Sequence, residues 1–147
     1  MKRQRYQFFD QAFELRSDHA DTLTLMDVMF RRFAVTETDG ETHQYEVLTN
    51  VGGRAAIITK DYCYIVEQPA RLPSLAHGII MRNIFTRIRS HLLFHAAALE
   101  DHGKGVIIAA DSGCGKTTLT LALVRQGFKF LSDDVAALEF NYYTAAF

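Results

Sequence analysis

Apolar and polar positions alternate in short runs through the first part of the chain and change rhythm after it. Tyr6 to Leu15 reads as a strand with Asp10 as an interruption, and from Asp18 onward Leu23, Met26, Phe30 and Phe33 recur at helical spacing. That periodicity predicts a packing helix with Asp18 as its N-cap and Arg31-Arg32 near its C-terminal end. "ETDGETHQYEVLTN" and "AAIITKDYCYIVEQ" read as short strands that turn at Asp39-Gly40, at Asn50 to Gly53 and at Lys60-Asp61. Pro69 and Pro73 punctuate the chain before a second helix from about His77 to Ser90, with Ile80, Ile84, Phe85 and Ile88 as its apolar stripe. Residues 1–90 are expected to form a small N-terminal α+β lobe.

Residues 91–147 carry a different pattern. "LLFHAAALED" and "GKGVIIAA" read as two strands joined by a turn at Asp101 to Gly103, and the unbroken apolar run "GVIIAA" predicts a strand buried on both faces. Leu119, Ala122 and Leu123 fall on one side of a helix that should end at Gly127, and "FKFLSDD" is a third strand with two carboxylates at its end. Strand, glycine loop, helix, strand is the layout that puts a phosphate site at the edge of an α/β sheet. With no repeat and no Pro/Gly/Ser linker, this part is expected to pack as one unit with the lobe.

The loop is "ADSGCGKTT", Ala110 to Thr118. Gly113 and Gly115 stand where positive φ and close approach of a phosphate favour glycine. Amides from about Ser112 to Thr117 would point into the concavity, and the next helix adds its N-terminal partial charge. Lys116 would reach terminal phosphates, Thr117 would place a hydroxyl on Mg²⁺, and Asp111, Cys114 and Thr118 complete the binding segment. Ala110 occupies the position of the pattern's first glycine. At a strand end with negative φ that exchange is tolerated, and can even add about 0.4–1 kcal/mol by restricting the unfolded chain.

Asp133 and Asp134 follow at the end of the next strand and would face the same crevice in a parallel sheet. One can hold the metal while the other takes the proton of an attacking hydroxyl, and the sequence does not assign which. His95, taken alone, reads as a hydrogen-bonded residue interrupting an apolar strand. The remaining histidines, His19, His43, His77, His91 and His102, lack metal-ligand spacing.

Composition narrows the setting. The 147 residues are 48% hydrophobic with eleven Phe, which predicts a folded, soluble protein with material for a core. A formal charge of −1 with interspersed signs argues against nucleic acid or an anionic membrane as partner. Two cysteines, Cys63 and Cys114, make neither a disulfide framework nor a zinc site. No apolar run is long enough for a membrane helix, and Asp10 and Gln11 break the first run where a signal peptide needs continuity, so the cytoplasm is the expected compartment.

The stretch His95 to Leu138, "HAAALEDHGKGVIIAADSGCGKTTLTLALVRQGFKFLSDDVAAL", resembles the core of the kinase domain of HPr kinase/phosphorylase and its relatives, P-loop proteins similar in fold to phosphoenolpyruvate carboxykinase. A histidine before the loop, a loop like "DSGCGKT" and an Asp pair after the next helix carry the resemblance, which covers about a third of the chain. It implies ATP and Mg²⁺ as cofactors, held by the loop with Thr117, Asp133 and Asp134 toward the metal. It further implies that Asp133 and Asp134 share metal and general-base duties and that His95 is their active-site partner. The implied function is transfer of the ATP γ-phosphate to a serine or other hydroxyl of a protein, peptide or small molecule. The alternatives are a catalytically weak nucleotide-binding regulatory module and a structural fragment with no nucleotide role. In that family the domain continues beyond the Asp pair, whereas the tail "FNYYTAAF" has no counterpart, so a shortened relative is expected. Its uncovered sheet edge and apolar surface predict a homo-oligomer.

Overall fold

Asp10 turns a strand back on itself. In the computed structural model, which describes residues 1–38, 40–52 and 54–139, β1 (Lys2–Phe8) and β2 (Gln11–Ser17) form an antiparallel hairpin in register from Lys2 opposite Ser17 to Phe8 opposite Gln11. The two-residue connection takes Phe9 into the left-handed region at φ 52°. The chain divides into two compact units, Met1–Arg89 and Ser90–Phe147. Its architecture is mixed α/β, with three α-helices among the described residues.

The first unit is a five-stranded mixed sheet in the order β1-β2-β3-β4-β5. Helix α1 (Ala20–Phe30) crosses from β2 to the parallel strand β3 (Thr42–Val51), and β4 (Arg54–Ile58) and β5 (Cys63–Val66) continue antiparallel. The N-cap of α1 is His19, whose Nδ1 accepts from the Thr22 amide at 3.3 Å. Asp18, the expected cap, instead accepts from the Thr49 amide and hydroxyl, at 3.0 and 3.1 Å, and so ties β3 to the end of β2. Phe33 lies beyond α1 in a single 3-10 turn, Arg31–Phe33. Asp39 and Gly53, both assigned to turns, lie outside the described residues, while Gly40 and Gly52 beside them are left-handed.

Helix α2 (Leu72–Phe85) begins earlier than its periodicity suggested, because proline is accommodated in a first helical turn and Pro73 sits there. Leu72, Ala76, Ile80 and Ile84 recur at i, i+4 and are fully buried. Phe85 is half-buried, and Ile88 is buried beyond the helix end. The two helices pack together, with the Phe30 ring stacked on the His77 imidazole at 5.2 Å and 8°. Burial there holds His77 below its ordinary pKa. Phe13, Leu15, Met26, Tyr45, Val47 and Ile57 complete a core in which each large apolar side chain contributes roughly 1.5–3 kcal/mol.

On the opposite face of β2 lies Glu14, buried at 3% exposure. Arg5 and Arg16 each approach its carboxylate to 2.8 Å through Nε, and Arg3 comes to 3.4 Å. Desolvation alone would raise this carboxyl, but the hydrogen bonds from Arg5 and Arg16 and the charge of Arg3 outweigh it and hold the pKa below its ordinary value. On that face the guanidinium groups replace the water that the carboxylate has lost.

The second unit begins with an antiparallel pair. Strand β6 (His91–Phe94) pairs with β10 (Ala136–Glu139), and a three-stranded sheet follows the order β8-β7-β9, with β7 (Ala96–Asp101), β8 (Lys104–Ala109) and β9 (Lys129–Ser132). "LLFHAAALED" is therefore two strands, broken at His95. Strands β7 and β8 join through His102 and Gly103, both at positive φ, a two-residue turn matched to strand twist. The expectation that "GVIIAA" is buried on both faces fails. Strand β8 lies at the sheet edge, Val106 and Ile108 are half-buried, and Ile107 is 44% exposed.

Helix α3 (Lys116–Arg125) also buries a different side from the one expected. Thr120 is buried at 2%, while Leu119 and Ala122 are exposed and Leu123 is half-buried. Its end does fall at Gly127, which at φ 103° lets the Phe128 amide bond Leu123 O and its own amide bond Val124 O. Phe140 to Phe147, the tail without a counterpart, lies outside the described residues. Among the described residues no helix is long and apolar enough to cross a membrane.

The Glu14 cluster contributes to the acid behaviour of the first unit. Glu14→Gln should lower stability at neutral pH by roughly 1 kcal/mol, since it removes the shared counter-charge of three guanidinium groups that are themselves a third or more exposed. Because the folded pKa lies below the ordinary 4.5, the contribution is present above pH 4.5 and lost as pH falls through the folded value. Urea unfolding of both proteins from pH 7 down to 3 checks this: the stability gap should close with acidification.

Candidate functional site

The loop Ala110 to Gly115 connects the end of β8 to the start of α3, and its shape follows from two glycines. Gly113 and Gly115 are left-handed at φ 85° and 80°, and Cys114 between them is not. Such alternation of hand curls successive amides toward a common centre, the arrangement that favours an anion. A methyl group built on either glycine meets no atom within 4 Å, so the requirement for glycine here is conformational rather than spatial. Ala110 is absent from the residues at positive φ, as its place at a strand end requires.

Gly115 is also the N-cap of α3, and its carbonyl accepts the first helical bond, from the Leu119 amide at 2.9 Å. The Cys114 amide donates to Asp111 O at 3.3 Å, closing a turn within the loop. Asp111, Ser112, Gly113, Cys114, Thr117 and Thr118 are exposed. Lys116, half-buried, donates from Nζ to Ala110 O at 3.4 Å, so its ammonium lies back across the loop mouth. Position 110 therefore takes part through its carbonyl, a role that the choice between Ala and Gly does not alter.

The acidic pair reaches the same end of the sheet by a route other than the expected one. Neighbouring strands are antiparallel, with β7 inserted between β8 and β9. Two strands each antiparallel to β7 run parallel to each other, so both finish at the start of β7. Register makes this concrete: Ala96 lies opposite Ala109 at the end of β8, and Ala98 opposite Ser132 at the end of β9. His95 immediately precedes Ala96. The loop, the acidic pair and the histidine are thereby gathered at one edge of one small sheet.

That edge coincides with a break in strand pairing. Strands β6 and β10 pair up to Phe94 opposite Ala136, β7 and β9 pair from Ala98 opposite Ser132, and the residues between them leave the ladder. His95 Nδ1 spans the break to Asp134 O at 3.1 Å and lies 3.9 Å from Asp134 Oδ1. Both side chains stay open to solvent, at 71% and 86% exposure. Ser132 Oγ accepts from the Val135 amide at 3.3 Å and so fixes the turn that carries Asp133 and Asp134. Sequence reading passed over Ser132, although a serine directly before an acidic pair at a strand end is the signal for such a turn.

Farther along β7 the sheet is pinned electrostatically. Lys129 Nζ donates to Glu100 Oε2 at 2.8 Å and the Gly103 amide to Glu100 Oε1 at 2.9 Å. Those bonds hold the Glu100 carboxyl below its ordinary pKa, the lysine being the larger influence. The ion pair fastens β9 to β7 at the end of the sheet remote from the loop.

Among the described residues, no cluster of three or more His, Cys, Asp or Glu could hold a metal by itself. The donors at this edge, Thr117, Asp133 and Asp134, are hard oxygens, a set that fits Mg²⁺ arriving with phosphate oxygens that complete its shell.

Comparison with known proteins points to a kinase-related relationship that is partial and distant. The HPr kinase/phosphorylase of Limosilactobacillus reuteri (strain DSM 20016) is 32% identical over 75 residues, 46% of this chain and 23% of that protein. The HPr kinase/phosphorylase of Streptococcus gordonii is 33% identical over 57 residues, 39% of this chain and 18% of the relative, and that of Treponema pallidum (strain Nichols) is 30% identical over 59 residues, 40% and 18%. The chain thus spans less than a quarter of the length of these curated relatives. No protein-family model and no solved structure matches it.

The loop geometry makes a paired prediction. Gly115→Ala should cost about 1–2 kcal/mol, because a side chain is forced into the left-handed region. Ala110→Gly should cost about 0.4–1 kcal/mol through the unfolded chain alone. Thermal unfolding of the two variants beside the parent checks both the order and the sizes.

Proposed function

We propose that the second unit is a P-loop nucleotide site related to that of HPr serine kinases, which binds ATP with Mg²⁺ and passes the γ-phosphate to a hydroxyl acceptor. The observation that carries this reading is the convergence of the curled glycine loop, the Asp133-Asp134 turn and His95 at one sheet edge, joined by the bond from His95 to Asp134 O. Amides of the loop and the start of α3 receive the phosphates. Lys116 exchanges the Ala110 carbonyl for a terminal phosphate oxygen, a stronger partner because it is charged.

When bound, Mg²⁺ would supply neutralisation of the developing phosphate charge, with Thr117 and one of the two aspartates as its protein ligands. The other aspartate takes the acceptor's proton as the acceptor oxygen bonds the γ-phosphorus and the bond to the β,γ-bridging oxygen breaks, releasing ADP. His95 positions the turn that carries both carboxylates. The acceptor is a serine or other hydroxyl of a protein, a peptide or a small molecule.

A second reading is favoured by the exposure of Asp134 and by the short span of the likeness to the relatives. In that reading the unit binds nucleotide and regulates, with little transfer. A homo-oligomer suits either reading, because Ile107, Leu119, Leu121, Phe130 and Leu131 of the second unit are each more than two-fifths exposed.

Calorimetry with Mg-ATP tests binding: Lys116→Ala should weaken affinity roughly ten- to a hundredfold, the loss of a charged hydrogen bond of about 1.5–3 kcal/mol. Unchanged affinity would end the nucleotide reading. ADP release in the presence of a hydroxyl acceptor tests transfer. Replacement of the general base by asparagine should lower turnover about 10²–10⁴-fold while ATP still binds, so Asp133→Asn and Asp134→Asn together identify which carboxylate serves as base.

A further inference from the structure

The first unit holds a cavity of about 450 Å³ that the phosphate chemistry leaves unused. It lies beside β3 where β4 ends: the last pair is Glu46 opposite Ile58, and the chain then turns through Thr59 to Tyr62. Two observations fix which main-chain groups face it. The Thr59 amide bonds Tyr62 O at 2.8 Å, so Thr59 and, by alternation, Ile57 turn their groups to β5, while Ile58 turns to β3 opposite Glu46. Across the sheet the Val35 amide bonds Arg5 O at 3.0 Å, so Arg5 faces away from β2 and its partner Glu14 faces β3, where it meets the residues that flank Gln44. Both routes direct the N–H and C=O of Gln44 at the cavity.

Those two groups have no main-chain partner among the described residues. One more antiparallel pair would put Lys60 opposite Gln44, but the turn carries Lys60 away and no bond forms between them. An edge that stops one pair short is a template for a single added residue.

Charges of both signs surround this spot. Arg87, Lys60 and Glu41 all act on the His43 ring, and Asp61 follows Lys60 in the turn. His43 lies among them and donates from Nε2 to Gln11 Oε1 at 3.2 Å. Burial, and then the charge of Arg87, hold it below its ordinary pKa, so it adds little positive charge at neutral pH. Arg16 and Glu46, also on the wall, approach each other to 3.9 Å. Arg87, Lys60, Glu41 and Asp61, by contrast, make no ion pair among the described residues. The two signs are intermixed rather than sorted to opposite ends. A complementary ligand is therefore neutral overall and carries both charges on closely spaced atoms.

We propose that the cavity binds a free α-amino acid, held as the one strand residue that β4 does not supply, its ammonium donating to Gln44 O and its carboxylate accepting from Gln44 N–H. The surrounding Arg87, Lys60, Glu41 and Asp61 offset the two charges that an ordinary strand residue lacks. A residue inside a peptide could pair with Gln44 equally well, but it is uncharged and leaves those four side chains unmet. A free amino acid satisfies both sets at once. Recognition rests on the groups that all α-amino acids share, so it extends across side chains. The site stands on the first unit alone and is independent of nucleotide binding.

Titration of the ¹⁵N-labelled full chain with L-alanine tests it. The Gln44 amide should move saturably downfield as it gains an acceptor, with a Kd on the order of 1 mM for so small a ligand. N-acetyl-L-alanine and L-alaninamide, each lacking one charge, should bind about tenfold more weakly, as should γ-aminobutyrate, whose charges stand too far apart for a single strand residue. Removing both cations, by Lys60→Gln with Arg87→Gln, or both anions, by Glu41→Gln with Asp61→Asn, should weaken L-alanine binding about tenfold. All four side chains are exposed, so folding is retained and a null result is interpretable. The proposal is overturned if L-alanine leaves the Gln44 amide unmoved, if any of the three control compounds binds as well as L-alanine, or if either pair of substitutions leaves binding unchanged.

Discussion

Two strands that pair on both sides of a gap must stop pairing somewhere, and at that place their main-chain groups need other partners. In the second unit the gap falls at His95 on one strand and at Asp133 to Val135 on the other. An imidazole nitrogen bonding Asp134 O and a serine hydroxyl bonding the Val135 amide take over from the ladder. With those polar groups satisfied, the Asp133 and Asp134 side chains are carried on a held turn rather than a loose one. Irregularity in a sheet is a means of re-aiming side chains, and here it falls at the end of the sheet where β8 delivers its loop.

The loop obeys a different constraint. Its curvature comes from two residues on the left-handed side of φ, and neither is crowded by the rest of the protein. The protein thus sets the curvature of the loop through backbone conformation alone. Folding has to hold only the loop's two ends, which it does through the hairpin of β7 and β8 on one side and the buried Thr120 on the other. The Glu14 cluster does comparable work for the other unit, on a sheet face where polar side chains take the place of an apolar layer.

The shape of the loop was legible in the sequence because it is set locally. Gly113 and Gly115 bend the chain through their own φ, Lys116 bonds the nearby Ala110 carbonyl, and Asp133-Asp134 directly after a strand is a local pattern as well. What could not be read were matters of tertiary context. The apolar run "GVIIAA" gives no sign of whether a strand will lie beside it, and β8 is an edge strand. Whether Leu119 or Thr120 faces the sheet depends on helix rotation, which a stripe of mixed small and apolar residues leaves open. Asp18 and His19 are adjacent candidates for one cap, and the choice went to His19 because the Asp18 carboxylate is engaged by Thr49, far away in sequence. The glycine end of α3, set by neighbouring residues, was read closely, whereas the interruption at Asp10 proved to be a full hairpin turn between two strands.

Helix α3 opens at one left-handed glycine and closes at another, Gly115 and Gly127. An added or deleted residue between them would turn the closing glycine by about 100° relative to the opening one and swing the strand that follows off its line. Such a segment is intolerant of length change and tolerant of exchange at its exposed positions. Divergence among descendants of this chain should accordingly accumulate there as substitutions, with insertions diverted to the hairpin tips.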